Sequence, residues 1–193
     1  MIRLSDVANI ESGSPQFRIH ESSESEATRY IIYDQRHLTM DKNFQQFTQI
    51  AMARTIQTTD KVRLTVAGEM IYSLISSEAA IVSKQNAGFL LTQNYVIIQP
   101  KDTVNKEYLF YLLNESTLVK RQLWTMTQGS QVLKNTLKSV RNLLIPNQIS
   151  IIEQQKIGQL YVDMLKLYLL KRNKLNSERK LMLSVLHNMG DAK

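Results

Sequence analysis

With 193 residues and 43% hydrophobic content, the chain has room for one ordinary domain plus an appendage and enough apolar surface for a true core, which excludes a disordered chain. It contains no cysteine, so disulfides and thiolate metal sites are excluded and a reducing compartment fits. A net charge of +7 and a pI near 9.6 point to an anionic partner. The N-terminus, MIRLSDVANIESG, lacks the apolar centre of a secretion signal, and no run approaches the roughly 18 apolar residues of a membrane span. A soluble, cytoplasmic chain without membrane contact is expected.

In chain order, residues 2–12 (IRLSDVANIES) read as a short strand or helical turn ending at Gly13. A serine-rich, acidic stretch follows and suits an exposed loop. RYIIYD (29–34) carries the aromatic and β-branched residues of a strand. Residues 35–60 are polar and glutamine-rich with weak periodicity. Val62–Val66 and Met70–Ile75 read as strands around Gly68, AAIV (79–82) as another, and SKQNAG as a turn. FLLTQNYVIIQP (89–100) supplies one or two further strands. NKEYLFYLLNES (105–116) has helical spacing, Leu118–Met126 continues it, and Leu133, Leu137 and Val140 mark another helix before a short LLIP strand. Strands first and helices later, without regular alternation, make an α+β pattern with a mixed or antiparallel sheet. Between Glu115 and Glu153 no acidic residue occurs, while Lys120, Arg121, Lys134, Lys138 and Arg141 do. Such a stretch suits a phosphate-facing surface and equally an ordinary solvated basic face.

Residues 150–190 form the second unit after a domain at 1–149. Pro146 closes the LLIP run, and Ser150 with Glu153 makes a capping box opening a long helix. From Ile151 to about His187 no proline interrupts it, giving on the order of 55 Å of helix, more than one domain can cover. Tyr161, Tyr168, Leu175, Met182 and Met189 fall every seventh residue, flanked by Leu165 and Leu186, as a partner helix requires. An antiparallel coiled coil of two copies with Leu175 facing Leu175 would set Tyr161 near Met189 and Tyr168 near Met182. The alternative is a helix that folds back on its own domain.

Catalytic signatures are missing. His20, His37 and His187 match no metal-binding spacing, and phosphate-loop, dinucleotide and nucleophile-elbow motifs are absent. QNYV (93–96) has the faint look of an amino-methyltransferase tetrapeptide but stands in a strand-like run without a glycine-rich cofactor motif. Glu69 and Glu78 flank a strand and suit structural roles. The sequence argues for binding rather than reaction, with no metal or cofactor of its own.

Six stretches in order resemble the DNA specificity (S) subunit of type I restriction–modification systems. They are IRLSDVANIESG, AGEMIYSLISSEAAIV, LTQNYVIIQP, YLFYLLNES, GSQVLKNTLKSVRNLLIP and IIEQQKIGQLYVDML, and in this order they spread the resemblance over most of the chain, from residue 2 to 165. NQIS after LLIP departs from the family's second proline pair, and Glu78 stands where a glycine is common. Family members have two units, each a target recognition domain followed by a long helix, and the helices run antiparallel. The resemblance therefore implies a half-length form with a single recognition domain, pairing with a second copy to read an interrupted, palindromic site in double-stranded DNA. It also implies that methyltransferase subunits, which bring the S-adenosylmethionine and the catalysis, dock on it, and that a restriction subunit can join.

Base-reading residues follow from chemistry instead: Gln and Asn suit adenine edges, Arg suits guanine, and Lys or Ser suits phosphate. The candidates are Arg18, Arg36, Gln45, Gln46 and Arg54 in the first polar stretch; Lys84, Gln85 and Asn86 in a second loop; and Gly129, Ser130, Gln131 and Lys134 where a loop enters a helix. Taken singly, each also reads as an idle exposed side chain, so the expectation rests on the groups. Two other readings stay open: an orphan recognition protein that binds methyltransferase subunits as a regulator or restriction antagonist, and a helix-mediated dimeric scaffold with incidental charge.

Overall fold

The computed structural model describes residues 1–46, 53–127, 135–146 and 148–190. Its first half contains β1 (Ile2–Arg3), α1 (Leu4–Val7), β2 (Ala8–Ser12), β3 (Thr28–Ile31), α2 (Gln35–Lys42), β4 (Thr55–Thr58), β5 (Met70–Ser73), β6 (Ala79–Ile81) and β7 (Tyr95–Pro100). The second half is mostly helical: α3 (Lys106–Glu115), α4 (Thr117–Thr127), α5 (Leu137–Arg141), β8 (Leu144–Ile145) and α6 (Ile151–Gly190). This is the expected α+β class, with antiparallel sheets and a long C-terminal helix.

The central sheet has the order β2-β7-β5-β6, every pair antiparallel, with Ile98 standing between Ile10 and Met70. Side chains alternate between its faces. Met70, Tyr72, Val96 and Ile98 join one core with Leu109, Phe110, Leu113, Tyr161 and Val162 from α3 and α6. Ile71, Ala80, Tyr95 and Ile97 join a second core with Tyr33, Leu38 and Phe89. Because both faces are covered, β5 and β7 carry apolar residues at successive positions, which is why the sequence reads there as unbroken apolar runs. The β1–β8 pair, Ile2 opposite Ile145, ties the N-terminus to the segment just before the long helix.

Two expectations differ. Val62–Val66 forms no regular strand: Leu64 makes one bridge to Leu90, and the Thr65 hydroxyl bonds to Asn86 O and Phe89 N. Backbone bonds from Thr65 N to Phe89 O and from Leu91 N to Arg63 O still hold the segment against residues 88–91, so it is paired without completing a regular ladder. In the weakly periodic stretch, α2 is a true helix, capped by the Asp34 carboxylate, which accepts from the Arg36 and His37 amides at 2.9 and 3.2 Å. Its buried residues are His37, Leu38 and Asp41, two of them polar, so no apolar period shows in the sequence.

The helix α6 starts as expected: Ser150 N donates to Glu153 Oε2 at 2.8 Å, and Glu153 N donates to Ser150 Oγ at 3.3 Å. Its first four turns lie on α3 and belong to the first core. Gln154 is buried and accepts from Asn105 N at 3.0 Å, joining the two helix starts. Gly158 touches the backbone of α3, where a Cβ would collide with Tyr108 N and Glu107. Gly158→Ala gains up to about 1 kcal/mol of helix propensity but forces the helices apart, at a cost of about 1–3 kcal/mol. A net destabilisation is expected, read as a lower midpoint in urea unfolding; an unchanged or higher midpoint contradicts this packing.

Candidate nucleic-acid interface

On the second face of the sheet, a 3-10 turn at Lys84–Asn86 follows β6 and displays two candidate side chains, Lys84 and Gln85, to solvent. What holds it is a buried carboxylate. Asp41 of α2, 1% exposed, accepts from Tyr33 Oη at 2.9 Å, Asn86 Nδ2 at 2.9 Å and Ser83 N at 3.0 Å. Burial, and then the Asp41 charge, push the Tyr33 phenol well above its usual range, so it stays a donor. Asn86 therefore corrects the sequence reading. It is no exposed base reader but a buried anchor whose side-chain NH2 donates to Asp41 and whose backbone carbonyl accepts from the Thr65 hydroxyl.

At the other end of α2, exposed Arg36 pairs with Asp34 at 3.0 Å. Burial pushes the Asp34 carboxyl upward, but the His37 amide and ring and the Arg36 guanidinium outweigh it and hold the group below its usual value. Burial holds the His37 imidazole below its ordinary range against the pull of Asp34. A histidine so depressed favours the fold only while neutral. Stability is thus full above the unfolded-state value of about 6.5 and falls as pH drops from there through the lower folded-state value. The thermal midpoint should decline between about pH 7 and 5, and His37→Asn should flatten that decline. A wild-type midpoint flat across this window contradicts a neutral, buried His37.

Arg18 and Arg54 are both exposed and lie toward the small β3–β4 sheet. Arg54 lines a shallow groove with Gln16, Ile19, Ile32 and Ile56, and the Arg18 guanidinium sits 5.5 Å from the Phe17 ring centre. Gln45 and Gln46 stand apart from both groups. Gln46 is exposed, while the half-buried Gln45 amide lies against the Arg172 guanidinium of α6, from which its oxygen accepts. Gly129, Ser130, Gln131 and Lys134 lie outside the described residues. The acid-free stretch is partly committed to structure: Lys120 pairs with Glu115 at 3.2 Å, and Arg141 donates to Ile10 O at 3.0 Å. Arg121 and Lys138 are exposed.

The proposed pairing seam on α6 divides. Tyr161, 5% exposed, packs against Phe110 and Tyr111 and donates its hydroxyl to Glu115 Oε1 at 3.0 Å. Leu165 packs against the same core. Neither is offered to a partner, so the seven-residue count ran onto the domain-facing side at its upper end. Tyr168, Leu175, Met182, Leu186 and Met189 are exposed, and so are Leu160, Met164, Leu167 and Val185, which that count passed over. At about 100° per residue, Leu160, Met164, Leu167, Lys171, Leu175, Glu178, Met182, Val185 and Met189 share one uncovered stripe. The helix folds back on its domain for four turns, and the apolar stripe on the remainder is bare. Among the described residues no helix is long and apolar enough to cross a membrane.

No protein-family model and no curated protein matches the sequence. Solved structures do match the fold. One is a chain from a structure addressing complex assembly and conformational transition of the type I restriction–modification system, with a TM-score of 0.58 and 15% identity over 96% of this chain and 42% of that one. The HsdS subunit from Thermoanaerobacter tengcongensis matches with a TM-score of 0.51 at 17% identity, covering 96% of this chain and 41% of its own. The type I S subunit from M. genitalium matches with a TM-score of 0.51 at 15% identity, covering 96% and 43%. At such identity the likeness is one of fold, and the chain has that fold over about two fifths of the length of the S-subunit chains it matches.

Proposed function

We propose that this chain is a half-length, non-catalytic DNA-recognition subunit of a type I restriction–modification system, acting in the cytoplasm. Two copies pair through α6 into an antiparallel rod with a recognition domain at each end. They read an interrupted palindrome and direct methyltransferase subunits, which supply S-adenosylmethionine and the chemistry, to it; a restriction subunit joins in the fuller complex. The candidate groups, Arg18 and Arg54, Arg36, Lys84 and Gln85, with Gln46, face the duplex.

The observation that carries the reading is the self-complementarity of the bare stripe. Folded about the point between Lys174 and Leu175, it sets Leu160 against Met189, Met164 against Val185 and Leu167 against Met182. It also sets Lys171 against Glu178, opposite charges at the polar centre. This register moves the twofold by half a residue from one centred on Leu175 and leaves Tyr161 in its own core. Apolar ends that match each other and charges that complement each other are what a second copy needs, and the S-subunit fold is consistent with such a rod. Sedimentation should give a dimer at micromolar concentration, and duplex binding should weaken steeply with salt as counterions are released. A strict monomer, or binding indifferent to salt, contradicts the proposal; a dimer without DNA binding would leave only a scaffold.

A further inference from the structure

The face of α6 that holds the recognition domain changes character where the domain ends. Gly158, Leu165, Arg172 and Arg179 follow one another every seventh residue, as do Val162, Leu169 and Asn176, so all lie on one side of the helix. Gly158, Val162 and Leu165 are packed in the domain. Past Leu169 the same side carries Arg172, Asn173, Asn176, Arg179 and Lys180, all exposed, before Leu183 and Leu186 make it apolar again. The acidic side chains of α6, Glu153, Asp163 and Glu178, project elsewhere, and among the described residues no carboxylate pairs with Arg172, Arg179 or Lys180. The domain reaches the start of this basic face: Lys166 lies 5.6 Å from the Phe44 ring centre, and Gln45 bonds to Arg172.

We infer that this face is a phosphate track, contacting the backbone of the duplex segment that lies between the two half-sites. The inference rests on the dimeric DNA-reading proposal. In an antiparallel pair the twofold axis runs perpendicular to the plane of the two helices, so Arg172 and Arg179, about a quarter turn from the pairing stripe, turn to the same side of the rod in both copies, and Lys180 extends that surface onto its outer flank. The track is then the floor between the two recognition domains. Arg172, Arg179 and Lys180 of both copies fall within about 16 Å of rod, a length over which B-DNA carries roughly nine phosphates. Six cations gathered there repel one another in the free dimer. A polyanion removes that repulsion, and an apolar protein surface would not.

The test is a salt titration of the full chain binding a mixed-sequence duplex long enough to span the dimer. Wild type is compared with R172Q/R179Q/K180Q, whose changes lie off the pairing stripe. The triple variant should sediment as the wild type does, bind at least tenfold more weakly at low salt, and lose about 3 to 5 units from the slope of log affinity against log salt. A variant with the wild-type affinity and slope overturns the track while leaving the recognition domains as readers. One that keeps its slope but loses capture of a methyltransferase subunit makes the face a protein-docking surface and also overturns it. A wild-type chain without salt-dependent binding removes the DNA-reading proposal itself, and the track with it.

Discussion

Replacing Leu167 by Glu should leave the chain folded and abolish its self-association. Leu167 is 51% exposed and its proposed partner Met182 is 66% exposed, so neither is needed by the domain core. In a twofold pair the substitution acts twice. It removes two buried leucines, each contributing about 1.5 kcal/mol or more, and places two carboxylates against apolar neighbours. At 1.4 kcal/mol per tenfold, the dimer dissociation constant should rise by on the order of 100-fold or more. The register gives a sharper form. L167E/M182K sets opposite charges against each other at both ends and should restore much of the association. In a Leu175-centred register Met182 would meet Tyr168 instead, and Y168E/M182K would be the pair that recovers. Sedimentation equilibrium on the wild type and the three variants decides; association unaffected by L167E contradicts the stripe as the seam.

Replacing Asp41 by Ala should cost about 3 kcal/mol or more, because it strands three donors in the second core, the Tyr33 hydroxyl, the Asn86 amide and the Ser83 N–H. Asp41→Asn, which keeps the shape and an acceptor, should cost distinctly less. The same network fixes the turn that displays Lys84 and Gln85, so the Ala variant should also lose proteolytic protection there before the sheet unfolds. Denaturant midpoints with limited proteolysis measure both. A loss below about 1 kcal/mol would mean that the carboxylate does not hold the turn.

The capping box at Ser150 and Glu153 was legible because its two side chains need only each other and three residues of spacing. The strands β5 and β7 were legible because a sheet covered on both faces leaves long apolar runs. α2 was hidden: its buried face carries His37 and Asp41, whose partners, Tyr33 and Asn86 among them, come from elsewhere in the chain. Asn86 was misplaced for the same reason, since a polar residue beside Lys84 and Gln85 looks exposed until Asp41 is brought to it through the fold. On α6, a seven-residue count found an apolar side but could not separate the side that meets α3, with Tyr161 and Leu165, from the adjacent side that meets nothing. Gly158 was the available signal: one glycine in a long helix marks the face of closest approach, and the bare stripe lies about a third of a turn away from it. The basic face past Leu169 was disguised as a merely polar centre until the domain's side of the helix was known.

Mapping modified bases in DNA from cells that express this chain with a type I methyltransferase subunit tests the account most directly. The predicted result is methylation at a bipartite motif with twofold symmetry, present only when the chain is expressed and lost with L167E. An asymmetric motif, or a methylation pattern indifferent to the chain, would contradict it.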